Sequence, residues 1–492
     1  MNHLSPPLGR SVILASGIFF AGLPCLSMGY GLADAVQSSI THNPEVLAKL
    51  HQFQGAQDDI DVAKADYWPT VDINYSSNHQ KFHYPNTPGA PISQNYTTKG
   101  WTLNITQNLF HGLQTYHQVR ELDNTRQATY FDFLAQSESM AQQTVQAYAD
   151  VLRYRQLVML AKDNYAVHKD IMGHLVDKEK AGVGRRVDLE QSAGRLALAQ
   201  TNLITDNSNL HDVSARFRRL TGIEPPAQLD DIPALSSAQP EAPNLIRAGI
   251  EHSPSWLSAL ASLRAARDEV KVRKGAFSPT LDLQASKAPN TDNYDGYLGK
   301  TSQQSVNLIF NMNLFRGGAD KARLGAAAQK FNEALDQRDR VCRDMRQTLS
   351  IANNNVLKLQ EQMTSLQQHQ LSTEKARDAY RKQFEIGQRT LLDVLDSENE
   401  LFDAQRAYIN AQADKTIAQA TVLSNTGHLL ETLSLKPVDT ESMNTPLSED
   451  DRTACNSEYE PPAALDIQSI PAHDFGNAPG NTDAVQPSPG KG

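Results

Sequence analysis

Cysteine is almost absent from this 492-residue chain, which has three, at positions 25, 342 and 455. So few thiols cannot make the framework of a disulfide-dense secreted scaffold, and no Cys and His spacing suits a zinc site. Aromatic residues make up only 7% and hydrophobic ones 39%, with a mean hydropathy of −0.49, which is little for filling large globular cores. After residue 29 no stretch approaches the ~20 apolar residues of a membrane-spanning helix. Basic clusters are missing too: Lys and Arg are scattered and the net charge is −10, which argues against a nucleic-acid partner. His168 and His174 are six apart and do not share a helix face. With no nucleophile elbow, phosphate-binding glycine loop or metal motif, neither an enzyme nor a bound metal or cofactor is expected.

What is present begins with an apolar run, Ser11 to Leu23, preceded by His3 and Arg10 and followed by small residues. Residues 1–29 read as a secretory signal peptide, with cleavage before Tyr30. The run is too short for an anchor. Lipidation at Cys25 is disfavoured by Pro24 and by Gly22, which stands where a leucine is usual. Cys342 and Cys455 then remain, far apart and in different kinds of segment, and are expected as free thiols.

The rest of the chain repeats itself. His42-Asn43-Pro44 recurs as His252-Ser253-Pro254, and Pro69-Thr70-Val71-Asp72-Ile73 as Pro279-Thr280-Leu281-Asp282-Leu283, at a shift of 210 residues. Asn108-Leu109-Phe110-His111-Gly112 recurs as Asn313-Leu314-Phe315-Arg316-Gly317, Gly182 as Gly387, Asp188 as Asp393 and Thr221-Gly222 as Thr426-Gly427, all at 205. One loop has therefore lost five residues in the second copy. This divides the chain into a first repeat at 30–222, a linker at 223–243, a second repeat at 244–435 and a tail at 436–492. The tail is rich in Pro, Ser, Asp and Gly and is expected to be disordered, so that removal from Pro437 onward should be tolerated.

Proline is absent from Ile92 to Glu224 and from Asn290 to Lys436. Because proline breaks helix interiors, these windows can hold long helices. In the second window Cys342, Met345, Leu349, Ala352, Val356, Leu359, Met363 and Leu366 alternate steps of three and four, the seam of a coiled coil. Helices are expected at about Gly31 to Asp66, Thr115 to Ala181 and Val187 to Thr221, and in the second copy at Ala242 to Ala276, Asp320 to Phe384 and Leu392 to Gly427. Each long helix would run roughly 100 Å, matched by the two shorter ones stacked end to end.

Between the helices the period changes to two. Val71, Ile73 and Tyr75 alternate with Asp72, Asn74 and Ser76, and Val306, Leu308, Phe310 and Met312 with Asn307, Ile309, Asn311 and Asn313. Leu281 to Ala285 and Thr102 to Asn108 behave alike. Such strands suit a soluble antiparallel sheet or a transmembrane barrel with a polar lumen; the polar Gly, Pro, Asn and Ser loops that join each pair favour the barrel. Four strands cannot close one, and open edges are not tolerated in lipid, so oligomerisation is required. A trimer would supply twelve.

The stretch Phe384-Glu385-Ile386-Gly387-Gln388-Arg389-Thr390-Leu391-Leu392-Asp393-Val394-Leu395-Asp396 resembles the periplasmic tip of the TolC family, and the repeat architecture extends the resemblance from about Gly31 to Leu435. It implies an α+β membrane protein: a trimeric twelve-stranded β-barrel in outer-membrane lipid, continued into an α-helical coiled-coil tunnel across the periplasm. Such a duct docks on a periplasmic adaptor and an inner-membrane ABC exporter or other pump. The Asp-Val-Leu-Asp run is closer to members serving type I protein secretion than to those of drug pumps. By the same resemblance Asp393 and Asp396 ring the tunnel entrance, Arg389 and Asp188 form a latch, and Gly182 and Gly387 make the tip turns. Val187 and Phe384 replace hydroxyl residues of the family pattern, so part of its latch cannot form. Taken alone, Thr390 and Asp393 also read as a helix N-cap and its partner. The alternative is the outer-membrane component of a multidrug or small-molecule efflux pump; a periplasmic adaptor with one coiled-coil hairpin is more remote, since it would lack the second copy and the lipid-facing strands.

Overall fold

The computed structural model describes residues 29–83, 93–294, 297–437, 443, 446–459 and 466–471. The leader expected at 1–29, with Cys25, lies almost wholly outside them. Elements follow the order α1 (Leu32–His42), α2 (Pro44–Ala65), β1 (Thr70–His83), β2 (Ser93–His111), α3 (Gln114–Lys180) and α4 (Arg186–Thr221). The second copy repeats it with α5 (Leu245–His252), α6 (Pro254–Gly275), β3 (Thr280–Tyr294), β4 (Tyr297–Asn311), α7 (Ala319–Glu385) and α8 (Leu391–Asn425). The short α9 (Leu429–Thr432) and α10 (Glu449–Thr453) follow.

The two long helices, α3 and α7, have 67 residues each, so both run roughly 100 Å at 1.5 Å per residue. The first helix of each copy is broken, which corrects the expectation of one helix from Gly31 to Asp66 and another from Ala242 to Ala276. The cause is Pro44 and Pro254: each occupies the first turn of a new helix, where its missing N–H costs nothing. Asn43 caps α2 by accepting from the Glu45 amide and donates to the Leu220 carbonyl, while Ser38 Oγ donates to the Thr221 carbonyl. Thus α1 lies against the end of α4, beside the joint where α2 and α4 meet, instead of lengthening the stack.

Packing runs α4 against α3, α3 against α6 and α8, and these against α7. One buried core gathers α1, α2, α3, α4, α8 and α9 around Phe133, Tyr148 and Phe217; a second lies among α5, α6, α7 and α8 around Trp256 and Leu349. Both sit where the short helices abut, so the seam is fixed there and thins toward the tip. Buried ion pairs join the copies. Asp206 of α4, fully buried, takes both guanidinium nitrogens of Arg406 on α8, and Asp150 of α3 holds Arg153 and Arg216, with Arg153 reaching Asp414 of α8 at 2.8 Å.

The linker at 223–243 is packed. Tyr148 Oη donates to the carbonyls of Tyr30 and Asp230, and Arg155 reaches those of Pro225, Pro226 and Ala227.

Two expectations fail for the described part of the tail; residues 438–442, 444–445, 460–465 and 472–492 lie outside the described residues. Cys342 and Cys455 form a disulfide, so they are not free thiols. Residues 446–459 are ordered against α6 and α7: Asp451 pairs with Arg264 at 2.5 Å, and Asn353 donates to Tyr459 Oη at 3.0 Å. Composition misled because the few apolar residues of this segment, Leu447, Ala454 and Tyr459, pack on the second core beside Cys455, and a crosslink and polar contacts hold them there.

The strands form one antiparallel sheet in the order β1-β2-β3-β4, with a bulge between Asn108 and Phe110. Register sorts the faces. Val71, Ile105, Ala285 and Val306 form one row, and Phe110, Leu281 and Phe310 another; Asp72, Asn104, Ser286 and Ser305 form a row on the other face. Val71, Ile73, Tyr75, Val306, Leu308 and Phe310 are all exposed.

Candidate functional site

Two regions are candidates for the functional site: the exposed sheet face at one end of the helices and the pair of helical turns at the other. At the sheet, apolar side chains that would ordinarily be buried project outward, and Trp68, Phe277, Leu314 and Phe315 add exposed bulk where helices meet strands. A contiguous apolar surface of this kind is stable against lipid, and aromatic residues favour the lipid boundary. The edge strands β1 and β4 each have one row of backbone groups without a sheet partner among the described residues. Among the described residues no helix is long and apolar enough to cross a membrane.

At the tip, α3 and α7 end alike. Gly182 and Gly387 adopt φ of 76° and 79°, the left-handed conformation that glycine enters without strain. The Val183 amide donates to the Lys178 carbonyl and the Gln388 amide to the Gln383 carbonyl, closing the same helix-ending turn in both copies. The next helices start differently. Thr390 caps α8: its hydroxyl accepts from the Asp393 amide, while the Asp393 carboxylate accepts from the Thr390 amide at 3.0 Å and hydroxyl at 2.8 Å. These bonds from Thr390, helped by Arg389, hold the Asp393 carboxyl below the ordinary aspartate range. In the first copy Arg185 stands at the cap, so Asp188 has no hydroxyl to exchange with.

Asp396 faces the other hairpin and pairs with Arg195 of α4 at 2.5 Å. Within the chain Arg389 does not meet Asp188. It lies over the Tyr380 ring at 4.6 Å, donates from Nε to Gln383 Oε1 at 3.1 Å and approaches Asp393 at 3.9 Å. Phe384, in place of a hydroxyl residue, receives the Lys178 ammonium over its ring at 5.4 Å. The two hairpins are therefore tied near the tip by Arg195 with Asp396 and by Lys178 with Phe384. Sequence reasoning missed both links. The shift of 205 aligns equivalent positions in the two copies and says nothing about which unlike positions touch.

Long paired helices, a sheet open at both edges and an outward apolar strand face define an outer-membrane export channel. The chain belongs to the outer membrane efflux protein family, which it matches over residues 35–223 and 245–428. It is 23% identical to the outer membrane protein TolC of Escherichia coli over 474 residues, covering 90% of this chain and 93% of that one. With the proteases secretion protein PrtF of Dickeya chrysanthemi it shares 21% over 415 residues, 81% and 87% of the two chains. Its fold superposes on the CmeC outer membrane channel of Campylobacter jejuni with a TM-score of 0.73 at 16% identity, over 86% and 90% of the chains.

Proposed function

We propose that three copies of this chain close into one duct: a twelve-stranded barrel in the outer membrane continued by a helical tunnel in the periplasm. The observation that carries this reading is the four-stranded sheet with both edges open and one face apolar. In lipid those edge groups have no water to bond, so β4 of one chain must pair with β1 of the next. Rotational symmetry closes the ring, and three chains give an even strand number. Light scattering of the detergent-solubilised protein is expected to give the mass of a trimer; a stable monomer overturns the assembly.

The same closure gives Asp188 a role. Along the chain's helix order α4, α3, α8, α7, the two ends are α4 and α7, so a ring places α7 beside a neighbour's α4. Asp188 begins α4 and Arg389 follows α7, and the latch is assigned between chains instead of within one. Asp393 and Asp396, three apart on α8, then bring six carboxylates to the tunnel entrance, the three Asp396 groups each engaged by Arg195 of its own chain. Multivalent cations added at the tip side are expected to block conductance. Replacing both aspartates with Ala should raise the half-blocking concentration roughly tenfold or more, because the ring that attracts them is gone. Arg389→Ala should raise the open fraction and leave the block in place. Unchanged block in the double variant would leave Asp393 with its capping role alone.

The duct is assigned to type I secretion, served by an ABC exporter and a periplasmic adaptor. The Asp-Val-Leu-Asp run and the likeness to PrtF support this. The family description supports a second reading, export of small molecules with another pump. Purification of the native complex separates them by whether an ABC exporter or a proton-driven pump accompanies the channel.

A further inference from the structure

His168 is fully buried in α3, and neither of its ring nitrogens has a hydrogen-bond partner. It lies roughly 18 Å above the end of α3, counted at 1.5 Å per residue, on the face packed against α8. A polar ring enclosed in this way would ordinarily be satisfied by an acceptor or replaced by an apolar residue. Asn399 of α8 is the polar group beside the ring, and it favours the protonated form. Asn164, one turn earlier on α3, is buried and uncharged.

The charged groups facing this position come from three helices. Arg195 of α4 approaches it and is engaged by Asp396. Glu398 of α8 is its acidic neighbour, and Glu398 is itself held by Arg377 at 3.5 Å and Arg381 at 2.6 Å, both from α7. Arg377 also pairs with Asp378 at 2.9 Å, so three guanidiniums stand against three carboxylates, and the carboxylate nearest the ring is already neutralised twice. A proton added to His168 would enter a dry seam in which every neighbouring carboxylate is already engaged by an arginine.

We propose that His168 is a proton-operated wedge that opens the seam between the α3–α4 and α7–α8 hairpins and so loosens the tip in acid. This rests on the tip being the closed end of the duct. With the seam closed the ring stays neutral; with the seam parted it meets water and takes a proton as an ordinary histidine does. Burial outweighs Asn399 and Glu398, which favour the proton, and with a smaller push from Arg195 it lowers the pKa in the closed form below the ordinary 6.5. Acidification below that value therefore favours the parted form. The bias is at most tenfold per pH unit per chain, and up to a thousandfold for a trimer that opens as one.

The test uses the assembled protein with spin labels on cysteines placed at the exposed positions 177 and 385, one on each hairpin. Lowering the pH from 7.5 to 5 is expected to add a longer distance between them. His168→Leu and His168→Gln, neither of which can ionise, should hold the short distance throughout; the Gln variant serves if Leu impairs assembly. No lengthening in the parent, or equal lengthening in both variants, overturns the wedge. Conductance is read in parallel. Lengthening with an unchanged open fraction upholds the wedge and overturns the placing of the gate at the tip.

Discussion

Reducing the disulfide between Cys342 and Cys455 is expected to free residues 446–459 from α7 and to lower the unfolding temperature of the solubilised protein. The bond closes a loop between residues 113 apart, and a crosslink over such a span removes much conformational freedom from the unfolded chain. The chain-entropy estimate is about 4–5 kcal/mol for a loop of this length, an upper value because strain and residual unfolded-state structure reduce it. An oxidising periplasm would maintain the bond. Arg264 with Asp451 and Asn353 with Tyr459 remain after reduction, but a lone polar pair adds only about 1 kcal/mol. Cys455→Ser should reproduce the effect of reductant, and truncation from Pro437 should exceed it by removing these contacts as well. Equal melting with and without reductant, together with unchanged protease resistance of 446–459, would show that the crosslink contributes nothing to holding the tail.

That segment shows where sequence reading stops. The repeat, the two long helices and the four strands were legible because each imposes a periodic pattern: three-and-four steps, alternation, or recurrence at a fixed shift. Gly182 and Gly387 were legible as a pair because both copies need the same left-handed turn. Contacts between unlike positions leave no such trace. Cys342 sits on a helical seam and Cys455 in a polar tail, and nothing in their spacing reveals a Cα separation of 5.8 Å. Arg195 with Asp396 and Lys178 with Phe384 are hidden for the same reason. The breaks before Pro44 and Pro254 were signalled, since Asn43-Pro44 and Ser253-Pro254 recur in register as a cap and a first-turn proline. The expectation of unbroken helices gave that signal too little weight. At the tip, the capping reading of Thr390 and Asp393 is what the single chain displays, and the ring of aspartates belongs to the proposed assembly.

Glu138→Gln is expected to stabilise the protein at neutral and alkaline pH. The Glu138 side chain is buried in α3 against the start of α9; Oε1 accepts from the Leu430 amide at 3.4 Å, while Oε2 has no partner. No cation pairs with it among the described residues, and Glu431 adds negative charge nearby. Burial therefore dominates over the backbone donors and pushes the carboxyl up to about 8 from 4.5. The sign follows from proton binding. The folded chain holds this proton up to about pH 8, whereas the unfolded chain releases it near 4.5, so stability is greatest below the lower value and falls as pH rises between the two. Over that window the loss is on the order of 3 kcal/mol by neutral pH and 4–5 kcal/mol above pH 8. Glutamine keeps the acceptor for the Leu430 amide and cannot ionise, so the variant should match the parent near pH 4 and unfold at increasingly higher temperature than it from pH 5 to 8. Parallel curves across that range would mean that water or a cation reaches Glu138 and that it ionises without cost.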